Sequence, residues 1–280
     1  MNKLTQEKRA AVIRALVEGN SIRSTVRMTG VAKNTVVKLL ADVGTACAVY
    51  QDKTLRNLTC KRILCDEIWS FCYAKQKNVP EDKQDQFGYG DVWTWTALDP
   101  DSKLVVSWLV GLRDAEWGKV FMRDVASRLA NRVQLTSDGH KAYLVAVEEA
   151  FGADVDYAML VKVYGAEKGE TGRYSPPKCI GCQRHKINGT PERKSVSTSM
   201  VERQNLTMRM GMRRFTRLTS AFSKKVENLE HAVVLHFMYY NFCRIHQTLR
   251  MTPAMAAGVT NRLWDVEDVV ALLEAQERSK

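Results

Sequence analysis

The chain has 280 residues, 45% of them hydrophobic and 26% charged, which is ordinary for a globular protein of one large domain or two smaller ones. Its net charge of +11 is not ordinary and points to a polyanionic partner, nucleic acid before membrane surface. No apolar run approaches the ~18 residues of a membrane span, the N-terminus lacks the apolar core of a signal peptide, and seven cysteines read as reduced thiols of a cytoplasmic protein.

The charge sits in two blocks. Residues 1–42 hold eight Lys/Arg against three Asp/Glu, and residues 193–225 hold nine against Glu202 alone. Two basic blocks predict two contact surfaces.

In chain order, residues 5–42 predict three short helices. Ala11, Ile13, Leu16 and Val17 recur near helical spacing and the first helix stops at Gly19. Ser21 can cap the second, Gly30 makes a tight turn, and "AKNTVVKLLADV" turns Val36, Leu39 and Leu40 inward. Helix, Gly turn, helix is the helix-turn-helix plan, with Lys33, Asn34, Thr35 and Lys38 toward the major groove. The plainer alternative is a three-helix bundle without DNA contact. The expected division is a DNA-binding domain at 1–45, a linker or connecting helix at 46–60, a catalytic domain at 61–258 and a C-terminal helix at 259–280.

From residue 62 the pattern changes. "RILCDEIWSFCYA" is an apolar strand-like run, "DVWTWTALDP" alternates as a second strand, and "SKLVVSWLVGL" is a third. A helix over 114–130, a strand ending at Asp138, a helix over 140–151 and the strand "DVDYAMLVKV" follow. The stretch 165–197 reads as irregular, and Glu202 falls on a further helix. This order matches an α/β, ribonuclease-H-like core: a mixed sheet flanked by helices, here with a small all-α helix-turn-helix domain in front.

Three carboxylates stand out, separated by 72 and 64 residues: Asp66, Asp138 and Glu202. Asp66 lies among Ile63, Leu64, Ile68 and Trp69, a poor place for a solvated charge. Glu202, Asn205 and Arg209 sit at i, i+3 and i+7, on one helix face. Carboxylates from neighbouring strands and a facing helix can hold Mg²⁺ or Mn²⁺. Two such ions, about 3.5–4 Å apart, serve in-line displacement at phosphorus.

"CDEIWSF", "LTSDGHKAY" and "STSMVERQNLTMRMGMRRFTRLT" resemble the three catalytic blocks of bacterial insertion-sequence DDE transposases, closest to the IS-one group. "YYNFCRIHQTLRMTPAMAAG" resembles the tail block shared by many transposases and retroviral-type integrases. The resemblance spans nearly all of 62–258. It implies that Asp66, Asp138 and Glu202 bind two Mg²⁺ or Mn²⁺ ions and that Arg209 helps to hold transposon-end DNA. The implied reaction cuts the ends of an element and joins the freed 3′-hydroxyl to target DNA. The implied partners are double-stranded DNA and at least one further copy of the chain, at the nucleoid and not at a membrane. One departure is that the group carries a cysteine zinc motif ahead of its helix-turn-helix, whereas the first cysteine here is Cys47.

Around Glu202, Arg203, Asn205, Arg209, Arg213 and Arg214 are then the expected phosphate contacts, with Lys141 beside Asp138. Cys179, Cys182 and His185 offer half a zinc site, but a structural site needs four ligands and no fourth is evident nearby. His246 is expected to orient Glu202 or neighbouring backbone. Two other functions fit the same features: a ribonuclease-H-like nuclease that cuts without joining, and a DNA-binding regulator that uses only the helix-turn-helix and the basic surface.

Overall fold

The computed structural model describes residues 3–165, 179–216 and 219–279. Three helices lead: α1 (Gln6–Val17), α2 (Ile22–Thr29) and α3 (Lys33–Thr54). Ser21 caps α2, its side chain accepting from the Ser24 amide at 3.1 Å. Gly30 ends α2 in the left-handed region (φ 68°), where a glycine carries no Cβ penalty.

α3 does not stop at Val43. Val43, Ala46 and Cys47 continue its buried stripe, and the buried Gln51 amide donates to the carbonyls of Cys47 and Val234. The expected linker is therefore helical as far as Thr54, and no break falls between residues 45 and 46. Gly44 is there for packing: a Cβ on it would lie 2.7 Å from the Cβ of His231, in the later helix α7 (Val226–Met238), so the two helices meet backbone to backbone.

The sheet follows as β1 (Arg62–Cys72), β2 (Gly90–Leu98) and β3 (Val105–Gly111). Then come α4 (Ala115–Arg128), β4 (Val133–Asp138), α5 (Ala142–Phe151), β5 (Val155–Tyr164) and β6 (Cys179–Asn188). Strand order is β3-β2-β1-β4-β5-β6. β1, β4 and β5 run parallel; β2, β3 and β6 are antiparallel to their neighbours. β6 lies in the stretch expected to be irregular. Its side chains are exposed, so no apolar alternation marks it, and its pairing to β5 is what makes it a strand. The first part of that stretch, 166–178, lies outside the described residues.

The remaining helices are α6 (Ser199–Gly211), α7 (Val226–Met238, continued by a π turn over Tyr239–Cys243), the short α8 (Pro253–Ala256) and α9 (Val266–Arg278). β1 is apolar on both faces because both are covered. Leu64, Ile68 and Cys72 pack with Val201 and Met208 of α6 and Leu229, Val233 and Phe237 of α7. Ile63 and Cys65 pack with Phe121 and Val125 of α4 and Tyr143 and Ala146 of α5. That second core is continuous with Ile13 of α1, Val36 and Leu40 of α3, and Val269 and Leu273 of α9. The N-terminal helices thus share a core with the sheet and do not form a free-standing domain. Arg9, which is buried, pairs with Glu277 at 3.1 Å, and Arg14 pairs with Glu267, tying α1 to α9.

Candidate active site

β1 and β4 are paired from Arg62–Gln134 to Cys65–Ser137. Asp66 and Asp138 are the next residues on each strand. Alternation along parallel neighbours puts both on the face of Leu64 and Thr136, the face that α6 covers. Asp138 ends β4, and one of its oxygens accepts the His140 amide at 3.0 Å. Oxygens of Asp66, Glu67 and Asp138 lie within 4.8 Å of one another, the one such acidic group among the described residues.

Glu67 was not among the expected site residues, because alternation sends it to the face opposite Asp66. There its side chain is 1% exposed beside Tyr143. Arg113, just beyond β3, reaches both faces: its Nε donates to Glu67 at 3.0 Å and an Nη to Asp138 at 3.4 Å, while its guanidinium stacks on Trp93. The chain gives no sequence signal for Arg113, which reads as an ordinary turn residue.

α6 docks through buried Val201, Gln204, Asn205 and Met208. Asn205 Nδ2 donates to Asp66 at 2.8 Å. Glu202 lies in the first turn of the same helix but outside the three-carboxylate group. Its oxygens accept from Lys162 of β5 and from Thr198, the residue before α6. Lys162 was visible in the sequence as the one cation in an apolar strand. Arg209 is half-buried, Arg203 and Arg213 are exposed, and Arg214 is half-buried with an Nη on Ser223. Lys141 is exposed at the start of α5. Lys33, Asn34, Thr35 and Lys38 form the exposed first turns of α3, where Lys38 pairs with Asp42.

Two secondary readings concern residues away from the carboxylates. His246 does not reach Glu202 but bonds within its own turn, its ring to Thr248 at 3.0 Å and its amide to the Met251 carbonyl. On β6, Cys179 and Cys182 are both exposed and pair with Tyr164 and Lys162 of β5, with an irregularity of register between them.

No family model matches the sequence, and no curated protein matches it. Among solved structures the chain is similar to a cryo-EM structure of the piggyBac transposase synaptic complex with hairpin DNA: 11% identity, TM-score 0.41, covering 100% of this chain and 75% of that one. It is also similar to the Mos1 transposase paired-end complex with left transposon end (12%, 0.24, 56% and 60%) and the Mos1 strand transfer complex (10%, 0.24, 85% and 76%). Overlap this low does not make the chain a member of either family. No helix among the described residues is long and apolar enough to cross a membrane.

The electrostatics of the site are strained. Burial, then the charges of Glu67 and Asp138, push Asp66 from 3.8 up to about 7. Glu67 is raised as well, first by burial and then by Asp138, with Tyr143 and Arg113 opposing. A carboxyl with a raised folded pKa binds its proton more tightly when folded. Its contribution to stability is present at acid pH and is lost as pH rises from its unfolded value toward about 7. A divalent cation on the ionised carboxylates would offset that loss. Millimolar Mg²⁺ is therefore expected to raise Tm by several degrees at pH 8 and by little at pH 5. Equal shifts at both pH values, or a full shift in Asp66→Asn, would count against a cation site here.

Proposed function

We propose that the chain is a DNA transposase that cuts the ends of a mobile element and joins the freed 3′-hydroxyl to target DNA. The observation that supports this best is the meeting of Asp66, in the middle of β1, with Asp138, at the end of the adjacent parallel strand β4, beneath a helix that carries Glu202 and Asn205. The basic surface around that helix is the natural seat of a phosphodiester backbone.

The donors suit a hard divalent cation. They are all oxygen, two of the carboxyls have raised pKa values, and Glu67 Oε1 and Asn205 Oδ1 are buried with no hydrogen-bond partner among the described residues. Asp66 and Asp138, with Glu202, would hold Mg²⁺ or Mn²⁺ ions. Once bound, these would supply charge neutralisation at the phosphate and activation of the attacking oxygen. The chain's own residues do the rest. Asn205 orients Asp66, and Arg113 fixes Asp138 against Glu67. Lys162 balances Glu202 until that carboxylate turns to its ligand role. Arg203, Arg209, Arg213, Arg214 and Lys141 hold phosphates near the site, and Lys33, Asn34, Thr35 and Lys38 contact DNA from the helix-turn-helix. Two element ends must be handled together, so the working form is at least a dimer on DNA, at the nucleoid.

The test is a gel assay with labelled duplex carrying the sequences that flank the gene, a supercoiled target, and Mg²⁺ or Mn²⁺. Nicked ends and joined products are both expected. Cutting without joining favours the nuclease, and metal-indifferent binding without cutting favours the regulator.

A further inference from the structure

Between the N-terminal helices and the α6–α7 segment lies a cavity of about 1080 Å³. One wall carries Arg23, Lys33 and Lys38, the other Arg213, Lys224 and Lys225, and no acidic residue lines it among the described residues. Asn20, Asn34, Thr219 and Ser220 add neutral donors of the kind that bind phosphate oxygens. On the floor is His236, 6% exposed, whose Nε2 is buried without a hydrogen-bond partner among the described residues. The ring edge lies under Gly211: a Cβ there would stand 3.6 Å from His236 Cε1.

The walls are fixed to each other. Gly19, in the left-handed region at φ 77°, sets the turn after α1 directly on the end of α6; a Cβ on it would be 3.0 Å from the Gly211 carbonyl oxygen. The cavity is thus a built groove between two packed elements.

It is also set off from the carboxylates. Gly211 is nine residues beyond Glu202 on α6, which at 1.5 Å per residue is roughly 13 Å. Duplex DNA advances 3.4 Å per base pair, so the same distance spans about four base pairs.

We infer that this groove holds the backbone of duplex DNA about four base pairs from the reacting phosphate, so that one copy of the chain grips the same duplex with α2–α3 and with the start of α7. The inference rests on the function proposed above and adds Arg23, Lys224 and Lys225 to the DNA contacts. It makes the two basic blocks of the sequence one surface.

Lys224 and Lys225 are exposed and lie outside the carboxylate site, so the double variant Lys224→Ala/Lys225→Ala should fold; a melting curve checks this. Binding to a 20-base-pair duplex, followed by fluorescence anisotropy across a salt series, should weaken by roughly tenfold or more at low salt. The slope of log affinity against log salt should fall by about two. Single neutral methylphosphonates are then placed along the duplex that the gel assay cuts. One about four base pairs from the cut should weaken binding of the unaltered chain and leave that of the double variant unchanged. Inorganic tripolyphosphate, which has the charge without the duplex, should not compete at concentrations where DNA saturates. Variants with an unchanged slope and interference pattern, in a chain that still cuts DNA, would overturn the groove assignment alone. So would tripolyphosphate that competes as well as DNA does. A chain that neither binds nor cuts duplex would overturn both the groove and the proposed function.

Discussion

Asp138→Asn is expected to abolish cutting and joining together, by several orders of magnitude, while making the protein more heat-stable in the absence of divalent cations. The two effects have one cause. Asp138 is the carboxylate that Asp66 and Glu67 both sense, and its charge raises the pKa of each. Replacing it with a neutral amide of the same shape removes that repulsion, so ionisation of the two neighbours costs less and the folded state gains. The same change removes one anionic ligand from the oxygen cluster, which weakens cation binding and with it the chemistry.

DNA binding without metal should persist, because the Lys and Arg contacts are untouched. Thermal melts in chelator, Mg²⁺ titrations and the gel assay on the same preparation check the set. A variant that melts lower and still cuts would mean that Asp138 serves the fold, through its Arg113 and His140 contacts, and not the chemistry.

The chain order of the first five strands, and the elements that carry Asp66, Asp138 and Glu202, were legible because each element has a strong apolar pattern. β1 and β4 are largely buried, β1 as an apolar run, and α6 repeats its buried positions at helical spacing. What stayed hidden depends on contacts between distant segments. Glu67 joins Asp66 and Asp138 only because the pairing of β1 with β4 ends at Cys65–Ser137, so that its oxygens come near theirs; alternation alone separates it from Asp66. Arg113 reaches the site from the far end of β3. β6 has no buried face to write a pattern, and its edge pairing is invisible in composition. The reach of α3 past residue 42 depends on a distant segment too, for Gly44 is a place where α7 leaves no room for a side chain.

Gly44→Ala is expected to destabilise the whole chain, against the direction that helix propensity gives. In an exposed helix interior the change would gain about 1 kcal/mol. Here the new methyl would stand 2.7 Å from the Cβ of His231 and 3.0 Å from its Cα, atoms that cannot swing aside as a long side chain can. α3 and α7 must separate, opening the core in which Val43, Cys47 and Leu235 are buried. Overpacking of this kind costs about 1–3 kcal/mol, and Gly44→Val should cost more. His231→Ala should not rescue the variant, because it removes the ring and leaves Cβ and Cα in place. Denaturant unfolding followed by far-ultraviolet circular dichroism and by tryptophan fluorescence should give one shared transition, moved to lower denaturant. The N-terminal helices carry no tryptophan, so a shift seen by both probes reports that they and the sheet unfold together. Deleting residues 1–42 should then lower the stability of the catalytic part too, since it removes buried Val36, Leu39 and Leu40 from the common core. A stabilised Gly44→Ala, or a tryptophan transition that does not move, would mean that the first 45 residues ride on the core as a separate unit.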